Sequence, residues 1–183
     1  MTEKETEGLR SYNETLNRVV RESLQTAFIL LLKEKDFSTI SVTDLCKKAG
    51  VSRMAFYNNY RTLDALLESS VAEYNKNLIL HNIGSPFREY TNIDWYIKLF
   101  KIIKDNVEFL KIIFDAGFKY KYLSVVNRLV LHDQSISADK KYLRIIWAGG
   151  IVNTLIYWLD NDMKDSVEAV AKLCFDNMSV YLK

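Results

Sequence analysis

Residues 49 to 60, AGVSRMAFYNNY, place a guanidinium, phenols and two carboxamides on what would be one short helix. Arginine and asparagine can each form two parallel hydrogen bonds to the edge of a base. Tyrosine and asparagine donate to phosphate oxygens without carrying charge. Small apolar side chains such as Met54 and Ala55 can approach a thymine methyl group. Arg53, Tyr57 and Asn58 would share the outer face of the helix, with Asn59 at its edge.

Two short helices and a tight turn would position these side chains. Ser41 is a good N-cap, and Asp44 three residues later completes a capping-box pattern. Gly50 suits the left-handed residue that ends a helix, and Ser52 can cap the next helix, which runs to about Tyr60. This arrangement predicts a helix-turn-helix.

The charge around this motif suits an anionic partner. Between residues 41 and 61, four basic residues face one acidic residue, a local charge of +3, although the whole chain carries only +2. Lys47, Lys48 and Arg61 could neutralise phosphates. Phe56 and Tyr60, four residues apart, are predicted to face inward against the first helix. On this pattern alone, a helical hairpin that merely builds a core remains an alternative.

The run TISVTDLCKKAGVSRMAFYNNYRTLDALL, residues 39 to 67, resembles the DNA-binding domain of TetR-family transcriptional regulators. Its matching positions are Ile40, Ser41, Val42, Leu45, 49–52, Phe56, Tyr57, Tyr60 and Leu66. The resemblance covers about residues 14 to 70, with Asp36 in place of the more usual glycine and Asn59 in place of a common histidine. With the basic residues and the cap, it implies a DNA interface of Ser41, Thr43, Lys47, Lys48, Ser52, Arg53, Met54, Ala55, Tyr57, Asn58, Asn59 and Arg61.

The rest of the chain also has helical periodicity. One proline, six glycines and no sustained period-two alternation favour long helices. We predict an all-α protein of about nine helices, in which a three-helix DNA-binding unit precedes a larger C-terminal helical bundle. The predicted parts are a flexible N-terminal arm at 1–12, a helix-turn-helix domain at 13–61 and a ligand-binding and dimerisation domain at 62–183. The first helix is predicted to start at about Asn13, and a helix at 62–80 connects the two domains. Residues 81–90 form a linker-like break, and the last helix starts at about Lys164.

The segment IIWAGGIVNTLIYWLDNDMKDSVEAVAKLC, residues 145 to 174, resembles the last two helices of many TetR-family members. In the family these helices pack against their copies in a partner subunit. Two adjacent glycines lower helix stability, which suggests close helix approach, either in a dimer or inside one subunit. The predicted interface is Trp147, Gly149, Gly150, Leu155, Trp158, Val170 and Leu173.

The aromatic residues of the second domain suggest a ligand cavity, although most of them could simply be core. Trp95, Phe100, Trp147 and Asn153 are candidate lining residues on faces inferred to point inward. Few charges fall on those faces, which favours an apolar or amphipathic small molecule. Cys46 and Cys174 are predicted to be buried or half-buried, and His81 and His132 to be isolated surface residues. No cofactor and no metal site is expected.

These features lead to one preferred function and two alternatives. The preferred one is a dimeric repressor that binds a palindromic DNA operator and is released by a small-molecule inducer. The second is a TetR-like activator or co-regulator that is controlled by a protein partner. The third is an all-α enzyme, which the chain does not favour because no nucleophile–base pair or phosphate-binding loop is apparent. The polar N-terminus is not a signal peptide, and a cytoplasmic protein without membrane contact is expected.

Overall fold

The computed structural model describes residues 3–85, 87, 92–133 and 135–182. All regular secondary structure in these residues is helical, which confirms the predicted all-α class. The described residues form nine helices of seven or more residues: α1 (Glu3–Glu34), α2 (Val42–Ala49), α3 (Arg53–Asn59), α4 (Leu63–Tyr74), α5 (Ile93–Asp105), α6 (Val107–Asp115), α7 (Lys119–Val130), α8 (Ala138–Asp160) and α9 (Val167–Met178). None of these helices is both long and apolar enough to cross a membrane.

The chain divides into two compact units, Met1–Ser69 and Ser70–Lys183. The division falls inside α4, whereas the sequence analysis placed the domain boundary before this helix. In the first unit, α2 and α3 pack against α1. Phe28, Leu45, Phe56 and Leu66 are fully buried there. Tyr60 is also buried, so the predicted inward facing of Phe56 and Tyr60 is confirmed.

Helix α1 begins at Glu3, ten residues before the predicted start. The expectation of a flexible arm over 1–12 is therefore corrected for residues 3–12, which are helical, while residues 1 and 2 lie outside the described chain. Acidic residues near a helix N-terminus interact favourably with the helix dipole. An ion pair between Arg10 and Glu14, one turn apart at 3.5 Å, adds a small stabilisation.

The second unit is built from α5 to α9. Helix α9 packs against α5, and α8 packs against α7. The largest fully buried side chains include Tyr96, Phe100, Tyr122 and Trp158. Helix α9 begins at Val167 instead of Lys164, because Ser166 caps it by accepting a hydrogen bond from the Ala169 amide.

The helical run that starts with α4 changes its geometry after Tyr74. Residues Asn75–Leu80 form a π-helical segment, and His81–Ile83 return to one α-helical turn. The amide of His81 accordingly donates to the carbonyl of Lys76, five residues earlier. The sequence analysis had predicted one regular helix over 62–80, and the π-helical segment corrects that prediction.

The linker-like break predicted at 81–90 is described only in part. Gly84 ends the helical run with a positive φ of 73°, which favours glycine. Residues 86, 88, 89 and 90 lie outside the described chain, as does Thr91, one of two predicted caps for the following helix. The other, Asn92, caps α5 by accepting from the Asp94 amide at 2.8 Å, so that prediction is confirmed.

Candidate nucleic-acid interface

Reciprocal hydrogen bonds fix the start of α2. Ser41 Oγ accepts from the Asp44 amide at 3.0 Å, and Asp44 Oδ2 accepts from the Ser41 amide at 3.3 Å. The predicted capping box is therefore confirmed. Lys35 at the end of α1 donates to the same Asp44 oxygen at 2.8 Å. The Lys35 hydrogen bond, followed by those from Ser41, lowers the pKa of Asp44 to about 2.

The turn between α2 and α3 is set by Gly50 and Ser52, as predicted. Gly50 takes a φ of 69°, in the left-handed region. The Val51 amide then reaches back to the Cys46 carbonyl at 3.0 Å, which closes the C-terminus of α2. Ser52 Oγ accepts from the Ala55 amide at 3.1 Å and starts α3. These local bonds fix the point at which α3 begins.

Helix α3 separates its side chains into two faces. Phe56 is fully buried, whereas Met54 is 70% exposed and Tyr57 55% exposed. Arg53 and Asn58 are also exposed. The Tyr57 ring meets Phe56 edge-on at a centroid distance of 5.2 Å, which restrains the ring without burying it. The outward facing predicted for these side chains is confirmed.

The two neighbouring asparagines of α3 differ in their surroundings. Asn59 is half-buried, and its Nδ2 donates to the Ala55 carbonyl one turn earlier at 2.9 Å. Asn58 is exposed and forms no side-chain hydrogen bond with the described residues. The Asn59 carboxamide is therefore partly engaged by its own helix, while the Asn58 carboxamide is available to a partner.

The basic residues around the motif are not equivalent. Lys48 Nζ lies 2.6 Å from Glu34 Oε1 at the end of α1, so its charge is balanced. Lys47, Arg53 and Arg61 are exposed and form no ion pair with any described carboxylate. The remaining candidates, Ser41, Thr43 and Ser52, are exposed, and Ala55 is half-buried. The structure thus places all twelve predicted interface residues on or beside α2 and α3, and it adds Glu34, which the sequence analysis missed.

The second unit contains a cavity of about 420 Å³, within the range of small-molecule sites. Its lining residues, most of them apolar, are Asn75, Ile79, Leu80, Ser85, Phe87, Trp95, Leu99, Ile103, Tyr122, Val126, Leu129, Val130, His132, Asp133, Arg144, Trp147, Ala148, Ile151, Val152 and Leu155. Two of the four predicted lining residues, Trp95 and Trp147, belong to this wall. Phe100 is buried elsewhere, against Trp158. Asn153 was predicted to face inward and is exposed instead, which corrects that assignment.

Two tryptophans of the cavity wall have their N–H groups already bonded. Trp147 Nε1 donates to the Tyr96 hydroxyl at 3.1 Å, and Trp95 Nε1 donates to the Gly84 carbonyl at 3.4 Å. Their rings therefore present mainly carbon to the cavity. The sequence analysis missed the polar lining residues Asn75 and Tyr122. Asn75 lies four residues after the buried Val71, so a polar residue that continues an apolar stripe was the available signal.

The residues predicted to form a dimer interface fall into two groups. Trp147, Leu155, Trp158 and Val170 are buried within the second unit of one chain. Gly149 is half-buried, and Leu173 is exposed, at 58%. Gly150 approaches Met178 of the same chain so closely that a β-carbon there would lie 2.9 Å from Met178 Cε.

Both cysteines are buried, and both histidines are exposed, in agreement with prediction. No group of three or more metal-binding side chains occurs in the part of the chain that the structure describes. An all-helical fold whose capped two-helix motif exposes arginine, tyrosine and asparagine side chains has the architecture of a helix-turn-helix DNA-binding regulator.

Comparison with known proteins specifies the family. Residues 91–179 match a TetR-type family model described as a transcriptional regulator C-terminal region. An uncharacterized HTH-type transcriptional regulator, YxbF of Bacillus subtilis (strain 168), is 26% identical over 90% of this chain and 47% of its own length. The chain thus spans about half the length of that curated relative.

Solved structures agree with this assignment. A TetR transcriptional regulator from Streptococcus agalactiae 2603V has a TM-score of 0.62 at 20% identity, with 92% of this chain and 98% of that chain covered. The dihydroxyacetone kinase operon activator DhaS has a TM-score of 0.55 at 21% identity, with 88% and 94% covered. The match over residues 91–179 and the shared fold relate the chain to TetR-type transcriptional regulators.

Proposed function

We propose that this regulator binds a palindromic operator as a homodimer and represses transcription until a small apolar or amphipathic effector occupies the cavity of the second unit. The observation that carries the proposal is the outward face of α3, which presents Arg53, Tyr57 and Asn58 in a motif fixed at both ends. Because the proposed partner is DNA, we place the protein in the cytoplasm.

The roles of the interface residues follow from their surroundings. Arg53 and Asn58 are proposed to read bases, because both are exposed and can form bidentate hydrogen bonds. Tyr57 is proposed to bind phosphate, with Lys47 and Arg61 supplying charge. Met54 and Ala55 would contact thymine methyl groups, while Ser41, Thr43, Ser52, Lys48 and Asn59 lie at the periphery. Asn59 contributes least, because Ala55 already engages its amide.

The dimer is proposed to form through an exposed stripe on α8 and the outer face of α9. The stripe consists of residues three or four apart that share one side of the helix: Tyr142, Ile146, Gly149, Asn153 and Tyr157. Leu173 supplies an exposed apolar side chain on α9. A second copy would cover these side chains, and a two-fold axis would place the recognition helices about 34 Å apart on the operator.

Activation of transcription is the second candidate mode, because the fold is shared with DhaS, which is described as an operon activator. A regulator of that mode would still need the same DNA-binding face. Transcription in vitro from a promoter carrying the operator separates the modes, since a repressor lowers the transcript yield and an activator raises it. An effector reverses either outcome only if it binds the two states with different affinities.

The DNA-binding proposal is tested by fluorescence anisotropy with palindromes from the DNA that flanks the gene of this protein. Asn58→Ala and Tyr57→Ala should each weaken specific binding by about fivefold or more, the usual effect of losing a base or phosphate contact. Asn82→Ala, which replaces an exposed asparagine of the second unit, is the matched control and should stay within about twofold. All three side chains lie outside the core, so thermal unfolding should be nearly unchanged. Absence of salt-dependent binding to every palindrome would refute the proposal.

The dimer is tested by sedimentation of Leu173→Glu. A charge in a buried apolar contact should weaken association by at least about tenfold, while the monomer stays folded because Leu173 is exposed in it. Tyr120→Glu is the matched control, because Tyr120 is 86% exposed and lies on α7, outside the proposed face. Equal association of both variants would show that α9 does not form the interface.

A further inference from the structure

We propose that the cavity recognises an otherwise apolar effector by one neutral hydrogen-bonding group, a hydroxyl or a carbonyl, which binds the buried pair Asn75 and Tyr122. This inference rests on the proposed function, in which the cavity is the effector site, and it specifies the chemical class of that effector.

The pair is buried and only partly satisfied internally. The Tyr122 hydroxyl donates to Asn75 Oδ1 at 3.0 Å, and Asn75 Nδ2 donates to the Val71 carbonyl at 2.9 Å. Both residues line the cavity; Tyr122 is 2% exposed and Asn75 is 7% exposed. A carboxamide has two N–H donors, and a phenol oxygen can accept hydrogen bonds while it donates. One Asn75 N–H and the Tyr122 oxygen therefore remain for a ligand, which matches a hydroxyl that both accepts and donates.

The surroundings of the pair favour a neutral group over an ion. Burial of a carboxylate or ammonium without a paired charge is strongly unfavourable. Burial also raises the pKa of the Tyr122 phenol, so this hydroxyl stays protonated at neutral pH. Among the described lining residues, His132 and Asp133 also carry ionisable groups, and Asp133 Oδ1 already accepts two hydrogen bonds from Ser135; the only lysine or arginine among them is Arg144. Its guanidinium lies over the Phe87 ring at 4.1 Å and donates to the Val130 carbonyl at 3.0 Å.

The remaining wall explains why a single polar group would determine specificity. Trp95 and Trp147 have bonded N–H groups, and Ile103, Ile151 and Leu155 add aliphatic surface. The apolar part of a ligand would bind this wall through contact area alone, which does not fix the orientation of the ligand. A hydrogen bond to Asn75 and Tyr122 fixes the orientation and disfavours analogues that leave the pair unsatisfied.

The position of Asn75 connects this recognition to the rest of the chain. Asn75 is the first residue of the π-helical segment, and Ile79 and Leu80 of the same segment also line the cavity. The Val71 carbonyl that Asn75 engages is the one to which the backbone amide of residue 75 donates in a regular α-helix. Asn75 belongs to the helical run that begins with α4.

The test uses three probes with one apolar body: 4-phenylphenol, biphenyl and biphenyl-4-carboxylate. Quenching of intrinsic fluorescence reports binding, because two of the three tryptophans line the cavity. The wild-type protein should bind the phenol about tenfold more tightly than biphenyl or the carboxylate, as expected for a buried hydrogen bond. The double variant Asn75→Leu/Tyr122→Phe removes both members of the Tyr122–Asn75 hydrogen bond together, and it should bind the phenol and biphenyl within about twofold.

Three results would overturn the inference: no preference for the phenol, a preference that persists in the double variant, or no binding of any probe. If the carboxylate binds most tightly and Arg144→Gln abolishes this preference, the inference is also overturned, and recognition is assigned to Arg144. Operator binding is measured on the same proteins without probes. Its absence would refute the proposed function, whereas a failed probe series with intact operator binding would refute only the effector class.

Discussion

The ion pair between Lys48 and Glu34 should limit how strongly this regulator binds DNA. Lys48 Nζ lies 2.6 Å from Glu34 Oε1, so the lysine must leave its partner before it can neutralise a phosphate. Glu34→Gln removes the competing charge and keeps the shape of the side chain. The Glu34 side chain is 56% exposed, so solvent screens the pair and its loss should lower stability by less than about 1 kcal/mol. Any large effect should therefore appear in DNA binding and not in folding.

The magnitude follows from counterion release. Each phosphate that a protein neutralises steepens the plot of log affinity against log salt by about 0.9. A dimer contributes two Lys48 side chains, so Glu34→Gln should steepen the slope by about 1.8. Between 50 and 200 mM salt, the advantage of the variant over the wild-type protein should then shrink by about twelvefold.

The assay is anisotropy with the operator duplex over that salt range. Asp160→Asn is the matched control, because it breaks a similar pair, with Lys119 at 2.7 Å, in the second unit. In a Lys48→Gln background, Glu34→Gln should no longer change the slope. Two results would show that Lys48 does not become a phosphate contact. Either Glu34→Gln alone leaves the salt slope unchanged, or it steepens the slope equally in the Lys48→Gln background.

Three further predictions concern stability. The pKa of Asp44 is lowered to about 2 in the folded protein. Its ionised carboxylate therefore stabilises the fold above the unfolded pKa of about 4, and this stabilisation is lost as the pH falls from about 4 to about 2. The difference in melting temperature between the wild-type protein and Asp44→Asn should vanish over that range. Gly50→Ala should destabilise the fold by about 1 kcal/mol in urea titrations because of its positive φ, whereas Gly149→Ala should stabilise α8 and weaken the dimer. Phe56→Ala should cost about 3–5 kcal/mol, because this side chain is fully buried, and a loss below 1 kcal/mol would contradict its place in the core.

The helix-turn-helix motif proposed to bind DNA could be predicted because its geometry is set over three or four residues. Ser41 and Asp44 satisfy each other's amides, and Ser52 caps the next helix with a residue three positions on. Gly50 supplies the single left-handed residue between them. Such bonds depend on neighbours in sequence, so residue types at fixed spacing were sufficient to predict them.

The cavity could not be predicted in the same way, because its polar contact joins residues far apart. Asn75 and Tyr122 are 47 positions apart, and neither belongs to a spaced motif. The same holds for Lys48 and Glu34, 14 positions apart, because sequence reasoning named only Lys48, as part of a basic cluster. Periodicity also failed at Asn153, because α8 turns one side to the core and the opposite side to solvent, and the sequence does not say where the boundary falls.

The two adjacent glycines of α8 differ in their surroundings. A close approach inside one subunit and a close approach between subunits were alternatives for the pair, since either would require a missing side chain. A β-carbon at Gly150 would lie 2.9 Å from Met178 Cε, the flexible end of a side chain that can move aside, so this approach does not by itself require glycine. Gly149 has open space around it, so no contact within the described chain explains its loss of helix stability of about 1 kcal/mol relative to alanine. It lies on the same exposed stripe as Ile146 and Tyr157, where a second copy would need the room that the glycine leaves.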